Sequence, residues 1–247
     1  MTTAPAFDQI RLLDVQALDT RLSQLAHKRR TLPEHAELAA LAAQQRDAGD
    51  AVIVARTLVG DIRRAVTKAE DDVEQVRQRA ARNEARLQAG QGSAKDMQAL
   101  NEELVSLARR TAVLEDAELE VMEQLETAEA ALAQAQAVAA ELDARAGELT
   151  AAIEAATSEI DAEAASVTAQ RDQMVIGLDA GLVQLYDRIR ANEGGLGAAA
   201  LRARRCDGCR LQKDPGELEQ IRKAPLEQVL RCEECSRILV RVPDSGL

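Results

Sequence analysis

Cys206-Asp-Gly-Cys209 and Cys232-Glu-Glu-Cys235 contain all four cysteines of the chain, as two pairs with 22 residues between them. A Cys-x-x-Cys pair can curl around one metal ion while backbone amides point at its sulfurs. Gly208 is expected to supply turn flexibility in the first such knuckle. Two knuckles give a closed tetrahedral set of four thiolates, the donor set of a structural zinc, with no position left for water. One structural zinc held by Cys206, Cys209, Cys232 and Cys235 is therefore the expectation. A rubredoxin-type iron site uses similar ligands, and paired redox thiols are a third reading. A thioredoxin-like motif needs a βαβ setting, which the flanking sequence does not offer.

The elements that must position these thiols can be read around them. Asp214-Pro215-Gly216-Glu217 combines an N-cap, a proline at the first helical position and a glutamate three residues after the cap. It predicts a short helix through Leu218 and Ile221 that ends before Pro225. Ile238, Val240 and Val242 alternate with Leu239 and Arg241, as in an exposed strand. Knuckle, strand, knuckle, strand is a zinc-ribbon arrangement. A 46-residue module over 202–247 without Phe or Trp has too small a core to stand without its metal.

The preceding residues read as a helical arm. Aromatics make up 1% of the 247 residues, hydrophobic residues 46% and charged residues 30%. Ala, Leu, Glu and Arg in such proportions mark long helices or coiled coils. From Leu100, alternating steps of four and three residues visit Leu104, Leu107, Leu114, Val121, Leu125, Leu132, Leu142, Leu149, Ile153 and Ile160, and only Thr111 and Glu118 break the apolar series. Leu38, Leu41, Val52, Val59, Ile62, Val66, Val73, Val76 and Leu87 share an earlier register whose polar members are Gln45 and Asn83. The average step of 3.5 residues is the period of a left-handed coiled coil.

Ala89-Gly90-Gln91-Gly92-Ser93 is the breaker between the two stripes. A short connection there predicts an antiparallel hairpin with its tip near 90–93, and Ser93 with Asp96 can cap the second helix. Pro33 breaks the chain near 31–34, where Thr31 and Glu34 resemble a capping box. An N-terminal helix over about 7–30 is expected to turn Ile10, Leu13, Ala17, Leu18, Leu22 and Leu25 toward Val167, Met174, Ile176 and Leu178. The second hairpin helix is expected to run on to Asn192, with weak points at Gly177 and Gly181. The fold class is thus mainly α: a helical coiled-coil arm over 1–192, a linker over 193–201, and the four-cysteine ribbon over 202–247. The arm and the ribbon are expected to share no core.

Charge and motifs limit the chemistry. The formal net charge is −11; residues 202–247 carry +2 and the rest −13. An acidic arm repels nucleic acid and anionic membranes. The first 30 residues offer no basic n-region followed by an apolar stretch, and no apolar run reaches membrane-spanning length. No signal peptide is therefore expected, and the chain is expected in the cytoplasm, where thiols stay reduced. His27 and His35 flank the Pro33 break as ordinary surface histidines. No phosphate loop follows a strand, and no nucleophile–base set is evident. No catalytic residue and no small-molecule substrate are expected.

The chain resembles the bacterial zinc-ribbon proteins in which a long coiled-coil hairpin precedes a C-terminal C4-type ribbon. The likeness is sharpest through Leu185-Tyr186-Asp187-Arg188-Ile189-Arg190, Cys206-Asp-Gly-Cys209 and Cys232-Glu-Glu-Cys235-Ser-Arg-Ile-Leu-Val. The Ala- and Arg-rich wording resembles that of a high-GC actinobacterial member. The family usually has glycine after the last cysteine, where this chain has Ser236. Relatives described as binding an alternative sigma factor, secretion or flagellar export components, or in one case a messenger RNA imply an adaptor or chaperone. A protein partner is the leading expectation. The alternative is nucleic-acid binding through Arg202, Arg204, Arg205 and Arg210, which is expected to be weak. With zinc and four thiolates the ribbon's net charge is near zero, and it has no aromatic on which a base could stack.

Overall fold

A computed structural model describes residues 2–90 and 92–247. The helices are α1 (Ala6–Arg30), α2 (Pro33–Gln88), α3 (Ala94–Val175), α4 (Ala180–Asn192) and α5 (Pro215–Lys223). The strands are β1 (Ala198–Arg202), β2 (Arg205–Cys206), β3 (Leu230–Arg231) and β4 (Ile238–Arg241). Two compact units divide the chain: residues 36–150 form one, and residues 1–35 with 151–247 form the other.

The unit of residues 36–150 is the coiled-coil hairpin of α2 and α3. Val59 and Val73 of α2 and Leu100, Leu107, Ala128 and Leu149 of α3 are buried along the expected register. Asn83, a polar member of that register, is buried with them. Ion pairs flank the seam between the helices: Arg63–Glu129 at 2.6 Å, Arg77–Glu115 at 2.6 Å and Arg79–Glu103 at 2.5 Å. Being exposed, each such pair contributes well under about 1 kcal/mol, so the apolar seam carries the hairpin. The tip expected near residue 91 falls on Gln91, which lies outside the described residues. Beside it, Gly90 and Gly92 adopt positive φ. Ser93 and Asp96 cap α3 reciprocally: Ser93 N–H donates to Asp96 Oδ2 at 2.8 Å, and Asp96 N–H donates to Ser93 Oγ at 3.3 Å.

In the other unit, α1 is the helix expected over 7–30, but it turns a different face inward. Ile10 and Ile176 are exposed, whereas Asp8, Gln9, Leu12, Val15, Gln16 and Asp19 are buried. Asp8, Gln9 and Gln16 serve backbone groups of neighbouring segments, whereas Asp19 meets the Arg171 and Arg190 guanidiniums at 3.1 and 3.3 Å. Gln16 Oε1 accepts from Gly197 N–H at 2.7 Å, and Gln9 Nε2 donates to the Ala4 and Leu226 carbonyls. Asp8 Oδ2 accepts from Asp179 N–H at 3.0 Å. The C-terminal half of α1 follows the apolar pattern: Leu25 packs with Ile160 and Val167 of α3, beside Leu18 and Leu22, and Leu32 of the α1–α2 connection joins them.

Three further expectations are corrected. Thr31 and Glu34 do not form a capping box, because the Thr31 hydroxyl donates to the His27 carbonyl inside the last turn of α1. Pro33 itself opens α2, with its ring pre-set for a first helical position. The second hairpin helix does not reach Asn192. It ends at Val175, Gly177 takes φ +86°, and Asp179 starts α4 by accepting from Leu182 N–H at 2.8 Å. Finally, residues 193–201 are not a linker throughout: Ala198–Leu201 lie in β1 and are buried.

The strands form one sheet in the order β2-β1-β4-β3, with β1 and β4 parallel and the outer pairs antiparallel. β4 is central and buried on both faces, which replaces the exposed strand expected from its alternation. Ile238 and Val240 join Leu12 and Val15 of α1 and Leu182, Tyr186 and Ile189 of α4 in one core. Leu239, on the opposite face, joins Leu201, Leu218, Ile221, Cys206 and Cys232 in another. The sheet is therefore shared: its metal-bearing layer rests on one face and helices α1 and α4 on the other.

Candidate metal centre

Each cysteine pair sits in a turn with the same backbone device. Arg210 N–H donates to the Cys206 carbonyl at 2.7 Å, and Ser236 N–H donates to the Cys232 carbonyl at 2.8 Å. Both residues that follow the knuckles are left-handed, Arg210 at φ +61° and Ser236 at φ +59°. That conformation costs a residue with a side chain about 1–2 kcal/mol, which is a physical reason for glycine at such a position. Gly208 is needed for a different reason from the one expected. It is absent from the positive-φ residues, but a Cβ there would lie 3.1 Å from Ala199 Cβ and 2.9 Å from Arg237 Cδ. Space, not conformational freedom, makes it glycine.

The turns bring all four sulfurs within 4.8 Å of one another. Cys206 and Cys235 Sγ are 3.9 Å apart, and Cys209 and Cys232 Sγ are 3.8 Å apart. Four sulfurs at about 2.3 Å from a tetrahedral zinc stand about 3.8 Å from each other, so the spacing fits the ion. Cys206 and Cys232 are buried and the other two half-buried. The residues thus fit one structural zinc in a C4 ribbon.

The groups around the sulfurs decide how readily thiolates form. Burial pushes the Cys206 thiol up to about 12, against N–H groups of Cys209 and Gly208 that favour its thiolate. Burial also pushes Cys235 up, opposed by Arg237. At Cys232 burial is outweighed by the Lys213 ammonium and by the Cys235 and Glu234 amides, and the thiol falls to about 7. Zinc must displace protons from Cys206 and Cys235, and its own charge supplies the drive.

Two of these groups were not legible as site residues. Lys213 is 2% exposed, its ammonium 2.7 Å from Glu217 Oε1 and beside Cys232, which places a buried cation against a dianionic four-thiolate centre. Arg237 donates to the Leu196 and Glu193 carbonyls at 3.0 and 2.8 Å, tying the second knuckle to the end of α4. Lys213 follows the first knuckle by four residues and Arg237 follows Cys235 by two, the one faint signal that either serves the metal.

The four candidate arginines have varied surroundings. Arg202 lies 3.5 Å from Asp207 and 3.8 Å from Asp244, and Arg204 donates to the Gly246 carbonyl at 3.0 Å. Arg205 and Arg210 are exposed without an ion pair among the described residues. No helix in the described residues is long and apolar enough to cross a membrane.

Comparison with known proteins agrees with this arrangement. Residues 15–194 match the CT398-like coiled coil hairpin domain, and residues 205–239 match the C4-type zinc ribbon domain. An uncharacterized protein of Mycobacterium tuberculosis is 38% identical over 231 residues, 94% of each chain. A solved structure from Mycobacterium smegmatis is 34% identical, with a TM-score of 0.82 over 97% of this chain and 100% of that one. The structure of CT398 from Chlamydia trachomatis, 20% identical, shares the fold with a TM-score of 0.63 over 95% of this chain and 98% of its own. The chain belongs to the CT398-like coiled-coil hairpin family and carries its zinc in a C-terminal C4-type ribbon.

Proposed function

We propose that this chain is a non-enzymatic adaptor: the zinc fastens the sheet that packs on α1 and α4, and the hairpin presents a surface to a protein partner. The observation that carries the reading is the placement of β4. Its one face packs among α1 and α4 and its other against the cysteines, so the metal closes a shared core instead of facing a substrate. A four-thiolate zinc has no free position at which to activate water, which argues against hydrolytic chemistry at this centre. Both matched families are structural modules. The test is crosslinking of the tagged full-length protein in its own cell extract, with nuclease treatment and mass spectrometry. The reading expects a nuclease-resistant protein crosslinked to helical residues. Capture that disappears with nuclease, or no captured protein, would overturn it.

Nucleic-acid binding at the ribbon is the second reading, favoured by exposed Arg205 and Arg210. Each phosphate contact contributes about 0.9 to the salt slope, so four arginines give only about 3.6, and Arg202 already faces two carboxylates. Micromolar or weaker binding is expected in titrations with RNA and duplex DNA at two salt concentrations. Nanomolar binding at about 0.15 M salt that vanishes when all four arginines become alanine would favour the nucleic-acid reading.

A further inference from the structure

The hairpin exposes more apolar surface than a two-helix seam requires. Two helices that face only each other need a narrow stripe, whereas a helix with a second neighbour carries a wider one. On α2 the seam residue Val59 is buried, yet Val54 and Leu58, adjoining the seam, are 69% and 50% exposed. Val54 and Leu58 stand four residues apart on one side of α2, in line with the half-buried seam residue Ile62 four residues further on.

Across from Leu58 and Ile62, α3 presents small side chains, Ala128 and Ala131 with Thr127, and together they line an open groove of about 530 Å³. Large residues on one wall and small ones on the other let the backbone of a third helix approach closely. The rim has a definite charge. Glu120 and Glu123 border the groove, and neither has an ion pair among the described residues. Residues 115–129 of α3 contain seven Asp or Glu and no Lys or Arg.

We infer that this groove takes a basic amphipathic helix from a partner protein, with leucine-like anchors between α2 and α3 and lysines or arginines on the Glu120–Glu123 rim. The inference rests on the adaptor reading and assigns that partner a chemistry and a place on the hairpin. An acidic partner helix would meet unpaired carboxylates of like charge, and an uncharged one would leave them without a counterpart.

The test uses the full-length zinc-loaded protein and a labelled Leu/Lys peptide of about 20 residues, with leucines at helical i, i+3, i+4, i+7 spacing. A Leu/Glu peptide of the same pattern and a scrambled Leu/Lys peptide serve as controls, all at about 0.15 M salt. The Leu/Lys peptide is expected to bind by anisotropy and both controls to fail. Glu120→Lys combined with Glu123→Lys should weaken binding about tenfold or more. Leu58→Glu should also weaken it, although a bare charge attraction would be strengthened by the added carboxylate. All these positions are exposed, and unchanged helical circular dichroism shows that the hairpin is intact. Binding indifferent to these substitutions, or tightened by Leu58→Glu, overturns the inference. So does a dimer in sedimentation that Leu58→Glu converts to monomer, because the groove is then covered by a second copy. The adaptor reading is judged separately by crosslinking of the unaltered protein, which can succeed with contacts mapped elsewhere on the hairpin.

Discussion

Replacing Cys232 by serine tests whether the ribbon is independent or shares a core with α1 and α4. The substitution removes a buried thiolate ligand. Structural zinc in small modules contributes about 10–16 kcal/mol at neutral pH, comparable with or above the roughly 5–15 kcal/mol of a whole domain. The metal-bearing layer of the sheet, with Leu201, Leu218 and Leu239 against the cysteines, should therefore unfold. The loss should not stop there, because β4 also carries Ile238 and Val240 into the core of α1 and α4. Without that strand Leu182, Tyr186 and Ile189 lose their cover, and an isolated 13-residue helix is marginal in water. The C-terminal half of α1 keeps its packing on α3 through Leu25, with Leu32 of the α1–α2 connection beside it, so it should persist. The expected result is a fall in helical ellipticity of roughly one-tenth to one-fifth. Hydrogen exchange should show lost amide protection across 180–192 and over the first half of α1, with the hairpin unchanged. Retained protection across 180–192 would show that the ribbon unfolds alone and would refute the shared core.

Tyr186→Phe should lower the melting temperature of this unit by about 3–6 °C, since Tyr186 is fully buried and its hydroxyl donates to Asp19 Oδ2 at 2.7 Å. An unchanged value by calorimetry would refute the bond's contribution. Burial and that bond to Asp19 raise the Tyr186 phenol above its ordinary 10.0, so its stabilising effect is complete below about pH 10 and is lost as the pH rises beyond it. The phenylalanine variant should lack this alkaline loss in pH-dependent unfolding. Lys213→Met should weaken zinc binding about 10–100-fold in chelator competition, and a change within about twofold would show that the ammonium does not serve the centre. Ser236→Gly should stabilise the loaded protein by about 1 kcal/mol in denaturant unfolding, because Ser236 is held at φ +59°; a loss of stability would contradict the strain.

The parts legible in the sequence are those whose signal is periodic or chemically singular. The heptad residues Val59, Val73, Leu100 and Leu107 are buried along the expected seam, and the two Cys-x-x-Cys turns converge as their spacing requires. The Asp214 cap stands as read, with Glu217 N–H donating to Asp214 Oδ1 at 2.9 Å. Other parts were hidden because their residues work through polar contacts or distant partners. β1 begins Ala-Ala-Ala, a helix-favouring run, and becomes a strand only because β4 pairs with it in parallel. The inner face of α1 is invisible to an apolar pattern because Gln9, Gln16 and Asp19 are buried for the hydrogen bonds they make, not for hydrophobicity. Tyr186, the one tyrosine of the chain, is the buried joint between α4 and α1 through its bond to Asp19.

X-ray absorption at the metal edge, together with elemental analysis of protein purified without added metal, tests the centre most directly. One zinc per chain surrounded by four sulfurs at about 2.3 Å is the expected result. Iron as the dominant metal, an oxygen or nitrogen ligand in place of a sulfur, or substantially less than one zinc per chain would contradict it.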